Sequence, residues 1–540
     1  MFAASKTDSA STGGYQISRS LRFNSADSAY LNRTPASAGN RRTWTFSTWV
    51  KRSQLSSGNA MLATVSGSAF NYFSFGTSSG DWLTFAYFDG ASDVFGVNTS
   101  STSVFRDVSA WYHIVLYVDT TQATAANRVK IYVNNVEQTL GGTYPTQNYD
   151  TPINNTISNL IGGATGSYTA YLADQYMTEV NFIDGQALTP SSFGETNAQT
   201  GVWQPKAYSG SYGTNGFYLN FSDNSNTTAA TLGKDYSGNG NNWTPNNFSV
   251  TAGAGNDSLV DSPTSYGVDT GVGGTVRGNY CTLNPLAVKI SSAVTLSNGN
   301  LDAATVTSGD ICYATMGMSS GKWYWEITCI SGAQMLGISK DVFPITDWQT
   351  ANGLAYYSAN GQKYTNGAGS AYGATFTTSD VIGLALDMDA GTLVFYKNGT
   401  TQGTAFTGIT GTYFASVQNA GANGTSSYNF GQRPFAYTAP SGFKALCTQN
   451  LPTPTIGATT ATQAGKYFNA VTYTGTGSSL GVTGVGFQPD WVWVKGRSGA
   501  TDHGLYDAVR GVQKQLESNT TTAETTETTG ITAFGSDGFT

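Results

Sequence analysis

One short stretch of the sequence has the residue types of a calcium-binding loop. In KDYSGNGNNW, Asp235, Ser237 and Asn239 fall on alternate positions, and a glycine follows at the sixth position. This spacing matches the front half of a helix–loop–helix calcium site, which also needs a bidentate glutamate at position 12. Position 12 here is Asn246. We therefore predict a turn whose polar side chains bind local backbone groups. A weak calcium site is the alternative, and no other cofactor is predicted.

A second polar stretch, KGRSGATDHGLYD, concentrates groups that could exchange protons. Its members are Lys495, Arg497, Asp502, His503 and Asp507. A histidine beside carboxylates suits general acid–base catalysis, but a solvated loop with salt bridges has the same composition. The sequence has neither a phosphate-binding loop nor zinc-ligand spacing. We predict no catalytic residue and no enzymatic activity, with an unrecognised carboxylate pair of a polysaccharide depolymerase as the alternative.

The composition limits the classes of partner and points to an all-β chain. The 540 residues carry a net charge of −7, which argues against nucleic acid as a partner. No apolar run reaches the length of a membrane span, and residues 1–14 lack the regions of a signal peptide. Aromatic residues separated by Gly, Asn and Ser turns favour short β-strands. We predict serial antiparallel β-sandwiches: a jelly roll, a second sandwich and a partial third unit.

Residues 15–262 read as the first sandwich, after an N-terminal segment at 1–14. RTWTFSTWVK alternates strictly and has large side chains on both faces, as expected for a central strand. SLRFNSADSAYLNR, TFSTWVKR, WYHIVLYVD and YLADQYMTEVNFIDGQALTP together resemble, in order, the strands of a laminin G-type, concanavalin A-like jelly roll. The chain departs from that family because the segment 216–244, which usually opens the domain, comes at its end. Adjacent termini would allow this segment to supply the first strand.

Residues 263–282 read as a Gly-rich linker with conformational freedom, and residues 283–451 as a second sandwich. GKWYWEITCI, SDVIGLALDMDAGTLVFYKNGT and YFASVQNAGANGTSSYNFGQRPFAY resemble the strands of a SPRY domain. The resemblance implies a binding module that recognises partners through loops at one edge. The candidate binding residues on these loops are Trp348, Tyr364 and Tyr372, with packing in the sandwich as the alternative for each.

Residues 452–540 read as a third β-rich unit that is incomplete. Leu505, Val509, Val512 and Leu516 have helical spacing and predict one helix, although Gly511 weakens it. A hairpin turn at 535–538 is followed by what looks like the start of a returning strand. Elsewhere, Cys281 and Cys447 lie near the two ends of the second sandwich, so a disulfide between them and two free thiols both stay open.

The serial sandwiches, together with RTPASAGNRRTWTFSTWVKRS and KDYSGNGNNWTPNNFSV, resemble tail fibres and other appendage proteins of tailed bacteriophages, particularly marine ones. The resemblance implies a virion structural protein, synthesised in the host cytoplasm, that contacts other virion proteins. It would bind a host cell-surface glycan or protein, with an exported bacterial adhesin as the alternative. Such appendages are commonly threefold, and weak glycan sites gain avidity by repetition. We therefore expect a homotrimer with contacts in the third unit.

Overall fold

The computed structural model describes residues 14–77, 80–100, 103–163, 171–198, 200–289, 293–306, 309–419, 423–453 and 462–540. This part of the chain forms antiparallel β-sheets, which confirms the all-β class. It contains no helix long and apolar enough to cross a membrane. The chain divides into two compact units: unit 1 is 1–196 with 203–452, and unit 2 is 197–202 with 453–540. Short 3-10 turns occur at Ser25–Asp27, Ala125–Asn127, Pro190–Ser192, Thr448–Asn450 and Ala464–Lys466.

The first sandwich of unit 1 has two eight-stranded sheets. Its strands are β1 (Ser20–Phe23), β2 (Tyr30–Arg33), β3 (Thr43–Arg52), β4 (Asn59–Ser66), β5 (Ala69–Thr77), β6 (Gly80–Phe88), β7 (Asp93–Thr99), β8 (Trp111–Asp119), β9 (Val129–Val133), β10 (Val136–Glu137), β11 (Leu140–Thr143), β12 (Asn159–Ile161), β13 (Gln175–Asp184), β14 (Gly194–Thr196), β15 (Trp203–Pro205), β16 (Phe217–Leu219), β17 (Thr244–Asn246) and β18 (Ser258–Leu259). One sheet has the order β10-β9-β8-β3-β13-β1-β18, with β16 also on β13, and the other β11-β7-β6-β5-β4-β12-β2-β17. The late strands β16, β17 and β18 therefore enter both sheets. The pair β14-β15 stands apart.

The central strand β3 is buried on both faces, as its alternation predicts. Trp44, Phe46 and Val50 belong to the core between the two sheets. Trp49, on the other face, belongs to a cluster that also contains the core of the second sandwich. Both faces of β3 are covered, and the polar groups on the second face have buried partners: Ser47 contacts His113, and Lys51 pairs with Asp261.

The second sandwich has two seven-stranded sheets. Its strands are β19 (Leu283–Val288), β20 (Thr295–Ser297), β21 (Asp302–Thr305), β22 (Ile311–Met318), β23 (Lys322–Gly332), β24 (Met335–Lys340), β25 (Gly353–Tyr357), β26 (Gln362–Thr365), β27 (Ala368–Ala371), β28 (Val381–Asp387), β29 (Thr392–Lys397), β30 (Thr400–Thr407), β31 (Tyr413–Gln418) and β32 (Gly424–Asn429). The sheet orders are β19-β22-β31-β24-β25-β26-β27 and β20-β21-β32-β23-β28-β29-β30. Trp325, Leu384 and Phe395 lie between the sheets.

The two sandwiches share a buried polar interface. The Lys51 ammonium contacts the Asp261 carboxylate at 2.9 Å, and both side chains are 1% exposed. The same ammonium donates to the Asn279 side chain at 2.8 Å and to the Tyr280 carbonyl at 2.6 Å. Across the interface, the Asn300 amide donates to the carbonyl of Ser53. A buried ammonium with three oxygen partners is fully satisfied, so this contact orders the connection between the sandwiches.

The freedom expected for the Gly-rich segment 263–282 is not what the structure shows. Val276 and Tyr280 are completely buried. Gly274 donates its N–H to the carbonyl of Gly431 at 2.7 Å. A Cβ on Gly273, which has a φ of 66°, would meet the backbone oxygen of Arg433 at 2.9 Å. These glycines permit left-handed turns and close backbone approach rather than mobility. The domain boundaries predicted from the sequence stay a prediction.

Cys281 and Cys447 are free and buried. The backbones of these two ends do meet, because Tyr280 and Cys447 form an antiparallel bridge. Neighbouring residues of a strand point to opposite faces, so Cys281 enters the main cluster of the second sandwich and Cys447 a separate one. The structure therefore supports two thiols rather than a disulfide. Burial raises the pKa of Cys281 to about 11 and that of Cys447 to about 12, which keeps both protonated.

Unit 2 consists of three small hairpins. Its strands are β33 (Trp491–Lys495), β34 (His503–Asp507), β35 (Lys514–Gln515), β36 (Thr525–Thr526), β37 (Phe534–Gly535) and β38 (Gly538–Phe539). Their core cluster is Val482, Val492, Tyr506, Ile531 and Phe539. The turn at 535–538 is present, and Phe539 exchanges two backbone hydrogen bonds with Val482. The strand that the sequence shows only as a beginning thus finds a partner earlier in the chain.

The helix predicted over 505–516 is wrong. Leu505 and Leu516 face each other in an antiparallel bridge, and Val509 lies in the connection with 96% of its surface exposed. Gly511 and Gln513 both have positive φ, which a helix excludes. The apolar spacing comes from two strand segments and a turn, and spacing alone does not distinguish this arrangement from one helix face.

Candidate functional site

Asp235 lies in the segment predicted to be a structural turn, with a weak calcium site as the alternative. Its side chain is nearly buried, and one carboxylate oxygen accepts the N–H of Tyr218 and of Ser237, each at 2.8 Å. The other accepts the Ser237 hydroxyl and the Asn241 N–H, also at 2.8 Å each. Four donors already converge on this carboxylate, and a cation in the same place would face their hydrogens.

The side chains of Ser237 and Asn239 likewise make hydrogen bonds to protein groups. The Asn239 amide donates to the carbonyls of Gly213 and Gly216 at 2.7 and 2.9 Å. Among the described residues, no group of three or more His, Cys, Asp or Glu is arranged to hold a metal ion. The polar side chains of this turn therefore bind backbone groups of the turn itself and of the neighbouring segment 213–218.

Trp348 lies on the long connection between β24 and β25 and is half-buried. Its backbone N–H donates to the Gln418 side chain at 2.7 Å, and its indole N–H donates to the carbonyl of Asn419 at 3.1 Å. Gln418 is the last residue of β31 and Asn419 follows it, so the loop is tied to the end of a central strand of the sheet. The indole is therefore held in one orientation while part of its ring stays open to solvent.

Tyr364 extends this aromatic surface. Its ring meets the Trp348 ring edge to face at 5.3 Å and the Tyr357 ring at 5.9 Å. All three side chains are half-buried, and we call Trp348, Tyr357 and Tyr364 the aromatic cluster. The Tyr364 hydroxyl accepts from the Asn360 amide at 2.8 Å. The sequence reasoning missed Tyr357, although strand alternation in GLAYY could have identified it, since Tyr356 points inward and Tyr357 outward.

Tyr372 is not part of the aromatic cluster. Its hydroxyl donates to the carbonyl of Gly403 at 2.6 Å and accepts the N–H of Phe395 at 3.2 Å. Its ring packs on Tyr356 and Phe395, which belong to the core. Lys363, the neighbour of Tyr364, reaches over the Tyr372 ring instead. Lys363 and Tyr364, successive residues of β26, thus point to opposite faces of the sheet. Tyr372 packs against the sandwich, which was the alternative to a binding role.

The aromatic cluster suits recognition rather than chemistry. Aromatic faces bind the C–H faces of sugars or the apolar side chains of a protein, and nearby amides bind hydroxyls or backbone groups. Phe343, on the same loop as Trp348, has 92% of its surface exposed. An exposed aromatic residue on the loop that carries Trp348 is typical of a protein or glycan contact.

The polar stretch around His503 does not assemble a catalytic arrangement in the described part of unit 2. The His503 ring accepts from the Trp493 indole N–H at 3.1 Å and contacts the Ser518 hydroxyl at 2.9 Å. Asp507 pairs with Arg510, and Asp502 accepts from the Asn519 amide. The carboxylates thus have partners other than the imidazole, as expected for a solvated surface.

Three family models match separate parts of the chain. Residues 24–192 match the concanavalin A-like lectin/glucanases superfamily, and residues 322–433 match the SPRY domain. Residues 463–540 match a domain of unknown function, DUF7483. The chain therefore contains a laminin G/concanavalin A-like domain followed by a SPRY domain.

The similar curated proteins match about a quarter of the chain. The E3 ubiquitin-protein ligase RKP of Arabidopsis thaliana is 35% identical over 25% of this chain and 11% of its own length. Ran-binding protein 9 of Xenopus tropicalis is 30% identical over 26% of this chain and 29% of its own length. The chain thus spans less than a third of either relative.

Among solved structures, the SPRY domain of human HERC1 is 23% identical to this chain. The match covers 27% of this chain and 96% of the HERC1 domain, with a TM-score of 0.24. Stonustoxin is 21% identical over 28% of this chain and 27% of its own, with a TM-score of 0.23.

Proposed function

We propose that this chain is a non-catalytic recognition protein in an appendage of a bacteriophage, a tail fibre or similar structure, which binds the host cell surface. The observation that carries the recognition role is the aromatic cluster, fixed to a central strand and open on one side. The assignment to a phage rests on the sequence resemblance alone, since the relatives named above are eukaryotic proteins. The same resemblance places the protein in the virion after synthesis in the host cytoplasm.

The ligand we favour is a host surface glycan. Half-exposed Trp and Tyr rings flanked by the Asn360 and Gln362 amides combine stacking surface with hydrogen-bonding groups. A surface protein is the other ligand that these groups suit, with Phe343 as its contact. Solvated sugar hydroxyls make single sites weak, so we also propose a homotrimer, with contacts in residues 467–540, held among other virion proteins.

The test is binding of the labelled full chain to host cells and to an array of bacterial surface polysaccharides. Trp348→Ala should weaken binding about tenfold or more, because it removes the fixed ring at the centre of the cluster. Tyr372→Phe is the matched control: Tyr372 follows β27 and its ring packs on Tyr356 and Phe395 rather than on the cluster, so affinity should be unchanged. Circular dichroism checks that both variants are folded. Unchanged binding by Trp348→Ala would remove the aromatic cluster from the proposal.

Two alternatives have their own tests. The family model for residues 24–192 covers glucanases as well as lectins, so a polysaccharide depolymerase is the second candidate. Release of new reducing ends from host polysaccharide would establish it and overturn the non-catalytic proposal. An exported adhesin would be detected on the surface of the cell that makes it rather than in purified particles. Mass photometry of the intact protein tests the trimer.

A further inference from the structure

Glu179 is a buried carboxyl group that the proposed function does not use. It lies on β13 where the pairing with β3 is irregular between Thr178 and Asn181. Its side chain is nearly inaccessible, and its backbone φ is 53°, a conformation that a residue with a side chain adopts at a cost in free energy. The bulge turns the Glu179 side chain toward the start of the described chain and β16.

Two tyrosines close over this carboxyl group. The Tyr15 hydroxyl lies 2.6 Å from Glu179 Oε2, and the Tyr218 hydroxyl lies 2.7 Å from Oε1 and 2.8 Å from Oε2. The two hydroxyl oxygens are also 2.6 Å from each other. The three groups therefore form a closed triangle in which each is within hydrogen-bond distance of the other two.

The number of available protons decides how many of the three hydrogen bonds in this triangle can form. Each of its three sides needs one hydrogen, and the two phenols supply two. If the carboxyl group is ionised, one side becomes a contact between two lone pairs. If it is protonated, it donates to one phenol, that phenol donates to the other, and the second phenol donates back to the carboxyl group. Only the protonated form makes all three hydrogen bonds.

We propose that Glu179 keeps its proton in mildly acidic solution, where an exposed carboxyl group is ionised, and that this proton fastens the segment 14–19 to the first sandwich through Tyr15. Tyr15 is the residue of that segment that reaches the carboxyl group, while Ile17 binds Thr264 at a separate point. Segment 14–19 thus has one attachment that depends on pH, at Tyr15, and others at Ile17, Ser18 and Arg19 that do not involve Glu179.

The surroundings of Glu179 support the protonated form. Besides Tyr15 and Tyr218, the titratable groups nearest to it are Tyr212, whose hydroxyl donates to Asn181, and Asp235, which accepts the backbone N–H of Tyr218. No Lys or Arg in the described residues makes an ion pair or hydrogen bond with Glu179. Burial without a cation raises the pKa of Glu179 to about 7, and the two phenols lower it only in part.

The raised pKa of Glu179 sets the direction in which the attachment of Tyr15 changes with pH. The closed triangle favours the protonated carboxyl group because only that form fills all three sides. Attachment is therefore strongest at low pH and weakens as the pH rises toward about 7. The equilibrium constant for release of Tyr15 should rise by at most about tenfold per pH unit as the pH approaches 7, and it should level off above that value.

Hydrogen exchange of the intact protein, measured by mass spectrometry on peptides covering 15–22, tests the proposal. Protection, corrected for the intrinsic exchange rate, should fall as the pH rises from 5 to 7 in the wild type, by at most about tenfold per pH unit. Glu179→Gln keeps a donor and an acceptor but carries no titratable proton, so its protection should not change with pH. Tyr212→Phe, the matched control on the neighbouring tyrosine, should behave as the wild type.

Infrared spectroscopy of the wild type provides a readout that needs no variant. A protonated carboxyl band should be present at pH 6, lost by pH 9, and absent from Glu179→Gln. The proposal is overturned if wild-type protection of 15–22 is independent of pH between 5 and 8. It is also overturned if Glu179→Gln keeps the wild-type pH dependence, or if the wild type lacks the band at pH 6.

Discussion

The same pair of side chains, a tryptophan donating to a histidine, occurs in both units with different surroundings. In unit 1 the Trp203 indole N–H donates to His113 at 3.0 Å, and the imidazole stacks between Trp203 and Trp49. In unit 2 the Trp493 indole N–H donates to His503 at 3.1 Å, but more than half of the Trp493 surface is exposed. The first pair lies in a shared interior and the second on a two-stranded hairpin.

The comparison shows that burial, rather than the hydrogen bond, decides what such a pair does. Desolvation lowers the pKa of His113 to about 3, so the buried imidazole is neutral at all ordinary pH values. It accepts from Trp203 at one nitrogen and donates to the Ser47 hydroxyl at the other. His113 is thus a packing residue with satisfied polar atoms. The exposed pair in unit 2 is available to solvent and to any partner of that surface.

The largest expected effect comes from breaking the buried ion pair of unit 1. Lys51→Met leaves the Asp261 carboxylate buried without its cation, and should cost about 3–5 kcal/mol of the free energy of unfolding of unit 1. Denaturant unfolding followed by tryptophan fluorescence measures it. Lys495→Met, on the exposed hairpin, is the matched control and should change stability by less than about 0.5 kcal/mol. Equal losses of stability in the two variants would contradict the difference in burial between Lys51 and Lys495.

The next effect concerns pH. Because the folded-state pKa of His113 is depressed, unit 1 holds the imidazole neutral while the unfolded chain protonates it, so stability falls as the pH drops from about 6.5 toward 3. The slope from this group is at most about 1.4 kcal/mol per pH unit. It is measured as the wild-type slope minus the slope of His113→Gln, which cancels the carboxylates. Identical slopes would contradict the burial argument.

A smaller effect should come from the indole donors. Trp203→Phe leaves a buried imidazole nitrogen without its hydrogen bond and should cost about 1–3 kcal/mol. Trp493→Phe removes the equivalent bond at the surface, where water replaces it, and should cost less than about 0.5 kcal/mol. Thermal melts of both variants against the wild type give the comparison, and a larger loss for Trp493→Phe would reverse it.

The smallest effect is expected from removing divalent cations. The Asp235 carboxylate is occupied by four protein donors, so a chelator should leave the melting temperature of unit 1 unchanged. A drop of several degrees that calcium reverses would show that a cation binds this loop, since a ligand of the native state stabilises by mass action.

Local patterns predicted the strands well because a strand carries its own periodicity. The alternation of RTWTFSTWVK corresponds to β3, and that of GKWYWEITCI corresponds to most of β23. The same reasoning failed over 505–516, where two short segments with a turn between them imitate a helix face. It also predicted a mobile linker from the glycines at 271–274, because a glycine looks the same in a free linker and in a close backbone contact.

The candidate site could be predicted only in part, because local patterns do not show the face to which each aromatic side chain points. Trp348 and Tyr364 were identified as aromatic residues on loops, and the structure brings their rings together. Tyr372 has the same residue type and a similar position, but its hydroxyl is consumed by Gly403 and Phe395. Which face of the sheet each tyrosine serves depends on the pairing of β25, β26 and β27, and this pairing is a long-range property.

The sequence by itself determined the all-β class, the order of the two sandwiches and the bond between Asp235 and Ser237, since these follow from periodicity and from side chains that bond locally. Only the tertiary structure decided that Lys51 meets Asp261, that Cys281 and Cys447 face apart, and that Tyr15 and Tyr218 converge on Glu179. Each of these depends on contacts between residues far apart in the chain. Their energies come from burial and desolvation, which no local pattern records.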